Sequence, residues 1–121
     1  MNIFIVALGG AFGAVCRYGL SQLPVESSFP IATFFTNLIG AFLIGFISGV
    51  SEKKGVSKEM VLFIKTGFCG GFTTFSTFSL ETVTLLEQGK YGIGTVYMAL
   101  SLVCCLAGVV LGQICAKKCW K

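Results

Sequence analysis

The sequence predicts an all-α membrane protein, a single domain of four transmembrane helices with the third helix broken. Three observations carry this. Of the 121 residues, 55% are hydrophobic and only 12% are charged, where an ordinary globular domain carries about 25% charged residues. Four apolar stretches, separated by short polar connections, are long enough to cross a bilayer, which takes about 20 residues per helix. The third stretch places Gly67, Gly70 and Gly71 ahead of a run of hydroxyls, Thr73, Thr74, Ser76, Thr77 and Ser79, threaded with Phe72, Phe75 and Phe78. Glycine weakens a helix interior, and hydroxyls offer the backbone local alternatives. At membrane depth an interrupted backbone is tolerated only where protein or a wet cavity surrounds it. A polar path or ion site is therefore expected at this segment.

The first span is predicted over 2–20. It is uncharged up to Cys16, and Arg17 stands near its end. Gly9 and Gly13 form a small-xxx-small pair that lets another helix approach closely. Arg17 either snorkels to the interface, forms an electropositive vestibule, or clamps the exposed carbonyls of a neighbouring helix. Residues 21–28, with Pro24 and Glu26, form a polar connection.

The second span, 29–50, has Pro30 near its start, where a missing N–H does no harm. Thr33 and Asn37 share one face, Thr36 and Gly40 a neighbouring stripe, and Gly45 and Gly49 repeat the small-residue spacing. Asn37 is the only amide in the middle of this span. It should face protein or water, or hydrogen-bond across helices. The loop 51–59 is the most polar and carries Lys53, Lys54 and Lys58.

The third span, 60–86, is expected to break near 70–73, with Lys65 on its entry side and Glu81 on its far side. Phe75 and Phe78 fall on one face if the helix resumes after the glycines. They either pack there or turn positive ring edges towards an anion. Gly70 and Thr73 bracket the break, and free carbonyls at a broken helix can hold a cation. Glu81 is either solvated or a partner for Arg17 or a lysine. A turn over 87–90 leads into the fourth span, 91–116. There Tyr97, Ser101 and Cys105 recur every four residues and line one stripe. Lys117, Lys118, Trp120 and Lys121 make a basic end with an interfacial aromatic.

Composition also excludes. The chain has no His and no Asp, and its five acidic residues are glutamates in no paired arrangement, so an enzyme is not expected. The six cysteines have no zinc-type spacing. The N-terminus lacks the basic start of a cleavable signal. Lys53, Lys54, Lys58, Lys117, Lys118 and Lys121 lie on the side of the termini, against Arg17 and Lys90 on the other. The positive-inside rule then favours cytoplasmic termini. A bundle this small has little interior for a conduit, so oligomerisation is expected.

Three strings identify a relationship. They are Gly9-Gly10-Ala11-Phe12-Gly13-Ala14-Val15-Cys16-Arg17-Tyr18, Thr33-Phe34-Phe35-Thr36-Asn37-Leu38-Ile39-Gly40, and Gly67-Phe68-Cys69-Gly70-Gly71-Phe72-Thr73-Thr74-Phe75-Ser76-Thr77-Phe78-Ser79. In this order they resemble the Fluc/CrcB family of small fluoride channels over essentially the whole chain. The resemblance implies two four-helix subunits packed antiparallel, a dual-topology dimer in the cell membrane, with two narrow fluoride pores along the interface. Asn37 would be the pore-lining amide, and Phe75 and Phe78 the aromatic box. Ser76, Thr77, Tyr97 and Ser101 would supply polar contacts, with Thr33 beside the path. Arg17 would be the family's arginine at the end of the first helix. Backbone carbonyls of Gly70 and Thr73 would hold a structural sodium ion at the dyad. Cys105 stands where some relatives have serine, and a thiol is a weaker donor.

The lysine bias is unusual for a chain that inserts both ways. The chain either forms a homodimer that tolerates the bias or pairs with a homologous partner of opposite bias. The alternative reading is a small four-helix, dual-topology multidrug or cation transporter. That function needs a titratable carboxylate in the first span, and none stands between Met1 and Arg17. An accessory membrane protein would need no polar stripe.

Overall fold

In lipid, each backbone N–H and C=O must find its partner within the protein, and a helix does this within one segment. The computed structural model describes residues 1–24, 27–52 and 55–119, and among these there are helices and connections but no strand. The expectations placed on Glu26, Lys53, Lys54, Trp120 and Lys121 fall outside the described residues. The helices are α1 (Asn2–Ser21), α2 (Ile31–Ser51), α3 (Lys58–Val61), a π-helical stretch (Leu62–Cys69), α4 (Gly70–Phe72), α5 (Phe75–Glu87) and α6 (Tyr91–Cys119). α3, the π-helical stretch and α4 run on as one limb, 58–72.

Among the described residues three helices, α1, α2 and α6, are long and apolar enough to cross a membrane. The predicted third span is not one helix but the limb 58–72 followed by α5. At about 1.5 Å per residue, neither piece covers the ~30 Å hydrocarbon core alone.

The interruption sits at the end of the expected window, and the glycines do not cause it. Gly70 is helical, at φ −63° and ψ −35°, so it precedes the break instead of flanking it. The chain extends only at Thr73 (φ −84°, ψ 155°) and Thr74 (φ −147°, ψ 118°). Hydroxyl chemistry marks the stop and the restart. The Thr73 hydroxyl donates to Cys69 O at 2.8 Å, alongside its own N–H at 3.0 Å. The Thr74 hydroxyl then accepts the Thr77 N–H at 3.2 Å and caps α5, as an N-cap threonine does.

The glycines serve packing. α1 lies on the limb 58–72, and α2 lies on α6. A methyl group on Gly9 would overlap the Phe63 carbonyl, and one on Gly13 the Phe68 carbonyl. The same relation joins Gly45 to the Val109 carbonyl and Gly112 to the Phe42 carbonyl. Both pairs thus approach backbone to backbone, as small residues permit in membranes. α5 ends on Gly89, whose φ of 78° suits glycine. Gly89 N–H bonds Leu86 O at 3.1 Å and Lys90 N–H bonds Leu85 O at 2.9 Å, the paired closure that glycine gives a helix end.

Apolar side chains cover the outside. Ile3, Phe4, Leu8 and Val15 of α1 and Leu102, Val103, Leu106 and Val110 of α6 are exposed. The buried set is small and includes Ile47, Val50, Phe72, Leu85 and Tyr97.

Candidate functional site

The site forms where α2 and α6 meet the break. Asn37, on the half-buried face of α2, grips the extended backbone of Thr74 at both ends. Its Nδ2 donates to Thr74 O at 3.1 Å, and its Oδ1 accepts the Thr74 N–H at 2.8 Å. This restores hydrogen bonds that the helix gives up there. One Nδ2 hydrogen stays free, because the amide has two.

Arg17 reaches the preceding turn and donates from Nε to Gly71 O at 3.1 Å. Of the roles open to it from sequence, this contact is the carbonyl clamp. The same guanidinium borders a niche of ≈50 Å³ lined also by Ser21, Thr33, Thr36, Thr74 and Thr77. Thr33 and Thr36 are buried there. Thr74 Oγ1 donates to Thr77 Oγ1 at 3.1 Å and lies 3.3 Å from the exposed Ser76 Oγ. The carbonyls of Gly70 and Thr73 have no hydrogen-bond partner among the described residues.

Beyond the break, α5 carries Phe75, 80% exposed, and the half-buried Phe78. Their ring centroids are 5.7 Å apart, and Phe78 meets Tyr97 at 5.1 Å. Phe29 meets Tyr97 edge to face at 5.3 Å. Tyr97 is fully buried, and its hydroxyl donates to Glu81 Oε1 at 3.0 Å. Its proton is therefore committed to a carboxylate, so what it offers a passing group is mainly its ring edge.

One turn along α6, the Ser101 hydroxyl is buried and has no hydrogen-bond partner among the described residues. It lines a cavity of ≈180 Å³ with Phe75, Phe78, Leu102, Cys105 and Leu106. A wider groove of ≈310 Å³ touches Asn37, Thr73, Thr74, Phe75 and Cys105. The three spaces share walls. Thr74 borders the niche and the groove, while Phe75 and Cys105 border the groove and the cavity.

Most of the residues singled out from sequence thus come together. Arg17, Thr33 and Thr77 meet at the niche; Phe75, Phe78 and Ser101 meet at the cavity; Asn37 and Thr73 stand between. Ser76 is exposed and, like Tyr97, lines none of the three spaces. Gly70 lies outside all three linings. The donors are hydroxyls, one amide hydrogen, ring edges and a guanidinium, a set that suits an anion. Three contacts had no local signal in the sequence: Glu81 as the Tyr97 acceptor, Thr74 as the Asn37 partner, and the burial of Thr36 beside Arg17.

A family description, "CrcB-like protein, Camphor Resistance (CrcB)", matches residues 4–113. The chain is 47% identical over 121 residues to the "Fluoride-specific ion channel FluC" of Ruminiclostridium cellulolyticum, covering 97% of this chain and 93% of that protein. It is 44% identical to the protein of the same name from Azobacteroides pseudotrichonymphae, covering 93% of this chain and 94% of that one. It is 43% identical to that of Methanococcus maripaludis, covering 98% of each.

Proposed function

The chain belongs to the CrcB family, and from that premise we propose that it is a fluoride-selective channel that lets fluoride leave the cytoplasm passively. The observation that carries this reading is the Ser101 hydroxyl, buried without a partner beside the Phe75 and Phe78 rings. A buried, unpaired hydroxyl costs about 1–3 kcal/mol. A small anion accepting its proton relieves that cost, and positive ring edges complete the shell.

Fluoride is small and strongly hydrated, so a pore has to replace its water with many short donors. The niche beside Arg17 gathers the anion, the free Asn37 Nδ2 hydrogen passes it on, and the rings with Ser101 take it further. Among the described residues no ammonium or guanidinium lines the ring cavity, so no fixed positive charge there holds the ion fast. The small multidrug-transporter alternative loses its support, because the relatives belong to another family.

The working unit of this reading is two subunits packed antiparallel in the cell membrane, with two pores along their interface. Phe75 is 80% exposed, and it stands beside a broken backbone with free carbonyls. Lipid cannot satisfy such carbonyls, but a second subunit can enclose them. The carbonyls of Gly70 and Thr73 fit a structural sodium ion at the dyad, since they are unpaired and offer oxygen only. Among the described residues no cluster of His, Cys, Asp or Glu offers a metal site. The Gly70 and Thr73 carbonyls would hold the ion, which would supply them with a counter-charge. The partner is a second copy or a homologue of opposite lysine bias, and cytoplasmic termini follow if one topology dominates.

The test is fluoride efflux from liposomes holding the purified chain, read by a fluoride electrode and repeated with chloride. Fluoride flux with chloride excluded is expected. Equal flux of both ions would overturn the reading.

A further inference from the structure

The polar end of the limb 58–72 carries a feature that the ion path does not use. An open groove of ≈320 Å³ is lined by Ser51, Val56, Lys58, Val61, Leu62, Lys65 and Thr66. Lys58 and Lys65 are both exposed, and neither ammonium makes an ion pair or hydrogen bond with another described residue. Lys65 follows an apolar run, Met60 to Ile64, within the predicted third span. An ammonium at that depth has to snorkel towards the headgroups. Lys58, one helical element earlier, lines the same groove.

The groove has two chemistries. Two ammoniums and the hydroxyl of Thr66 offer donors to a phosphate, while the Ser51 hydroxyl gives its proton to Ser48 O at 2.8 Å. Val56, Val61 and Leu62 form an apolar wall against them. Glu52 and Glu59 are near in sequence but do not line the groove. We propose that this groove binds the headgroup of an anionic phospholipid, with Lys58 and Lys65 on the phosphate and Val61 and Leu62 against the first acyl carbons. The apolar wall selects a lipid over free phosphate, since a soluble anion gains nothing from it. The site needs only that the chain sits in a bilayer, so it stands independently of fluoride conduction.

The test is native mass spectrometry of the full chain in detergent, titrated with phosphatidylglycerol or phosphatidylcholine. Phosphatidylglycerol is expected to bind at least about tenfold tighter, and more weakly as salt rises. The double variant Lys58→Gln, Lys65→Gln should lose about thirtyfold, a tenfold change being 1.4 kcal/mol and each lysine about 1 kcal/mol. The charge-matched pair Lys90→Gln, Lys117→Gln should stay within about twofold, because neither lysine lines the groove. Equal binding of the two lipids, equal loss in both double variants, or displacement of bound lipid by inorganic phosphate would each overturn the proposal. If the first pair fails to fold, the lipid preference and salt dependence of the unaltered chain still decide it.

Discussion

At the residue scale, Ser101 and Asn37 separate stability from function in opposite ways. Ser101 Oγ is buried and unpaired. Removing it, as Ser101→Ala, deletes an unmet donor and leaves packing nearly intact. The thermal midpoint in detergent should hold or rise, the relief being up to about 1–3 kcal/mol. Fluoride efflux should nevertheless fall by at least about tenfold, since a donor worth about 1.4 kcal/mol is lost from the path. A fall in both would mean that the hydroxyl has a structural partner. Asn37→Asp acts on both quantities. The carboxylate loses the Nδ2 donor to Thr74 O and sets an anionic oxygen against that carbonyl. It also places negative charge on an anion path. Unfolding should become easier by about 1–3 kcal/mol, with efflux near background. Unchanged efflux in folded protein would remove Asn37 from the path.

At the scale of elements, the broken third span depends on hydroxyls, and the helix pairs depend on glycines. Gly9, Gly13, Gly45 and Gly49 were legible as close-approach residues, but Gly70 and Gly71 were read together with the hydroxyls as part of the break. Gly70 and Gly71 belong to the limb before the break, with Gly71 against the Gly10 carbonyl. The decision was tertiary, because the same glycine can end a helix or admit a neighbour. Gly13→Val tests the packing role. Its side chain would meet the Phe68 carbonyl and the Phe72 backbone, which cannot retract without separating α1 from the limb. Overpacking of this kind costs about 1–3 kcal/mol or more. The variant should unfold at markedly lower temperature or fail to assemble, whereas Gly19→Ala, with open space around it, should behave as the parent. The π-helical stretch Leu62–Cys69 had no counterpart in the sequence reading. Its wider turn is a matter of backbone register, which hydropathy does not encode, and packing of Gly67 on Gly9 accompanies it.

At the scale of the whole molecule, one chain leaves much undone. Its outer faces are apolar, as lipid requires, yet the Phe75 ring is left exposed and the Thr73 carbonyl at the break has no hydrogen-bond partner among the described residues. Reconstitution of the purified chain alone tests which partner covers them. A homodimer predicts robust fluoride efflux from vesicles holding one chain type. Efflux that appears only with a homologous partner supports the heterodimer instead. On the proposed sodium reading, replacing sodium by a large organic cation should lower the thermal midpoint of the assembled unit, because the unpaired Gly70 and Thr73 carbonyls would lose their counter-charge. A midpoint indifferent to sodium would argue against that ion.

Composition and spacing by themselves determined the all-helical class with apolar spans, and they singled out Arg17, Asn37, Phe75, Phe78 and Ser101 with packing and interface roles still open. The resemblance to the channel family is what gave these residues pore roles. The class and the spans follow from hydropathy and local backbone chemistry, which act over a few residues. Only the tertiary structure decided which residues meet. Asn37 braces Thr74, Arg17 holds Gly71, Tyr97 gives its proton to Glu81, and Ser101 is left with none. These pairings join groups far apart in the chain. Each hydroxyl or amide in the sequence was equally able to meet water, backbone or an ion until helix packing excluded all but one.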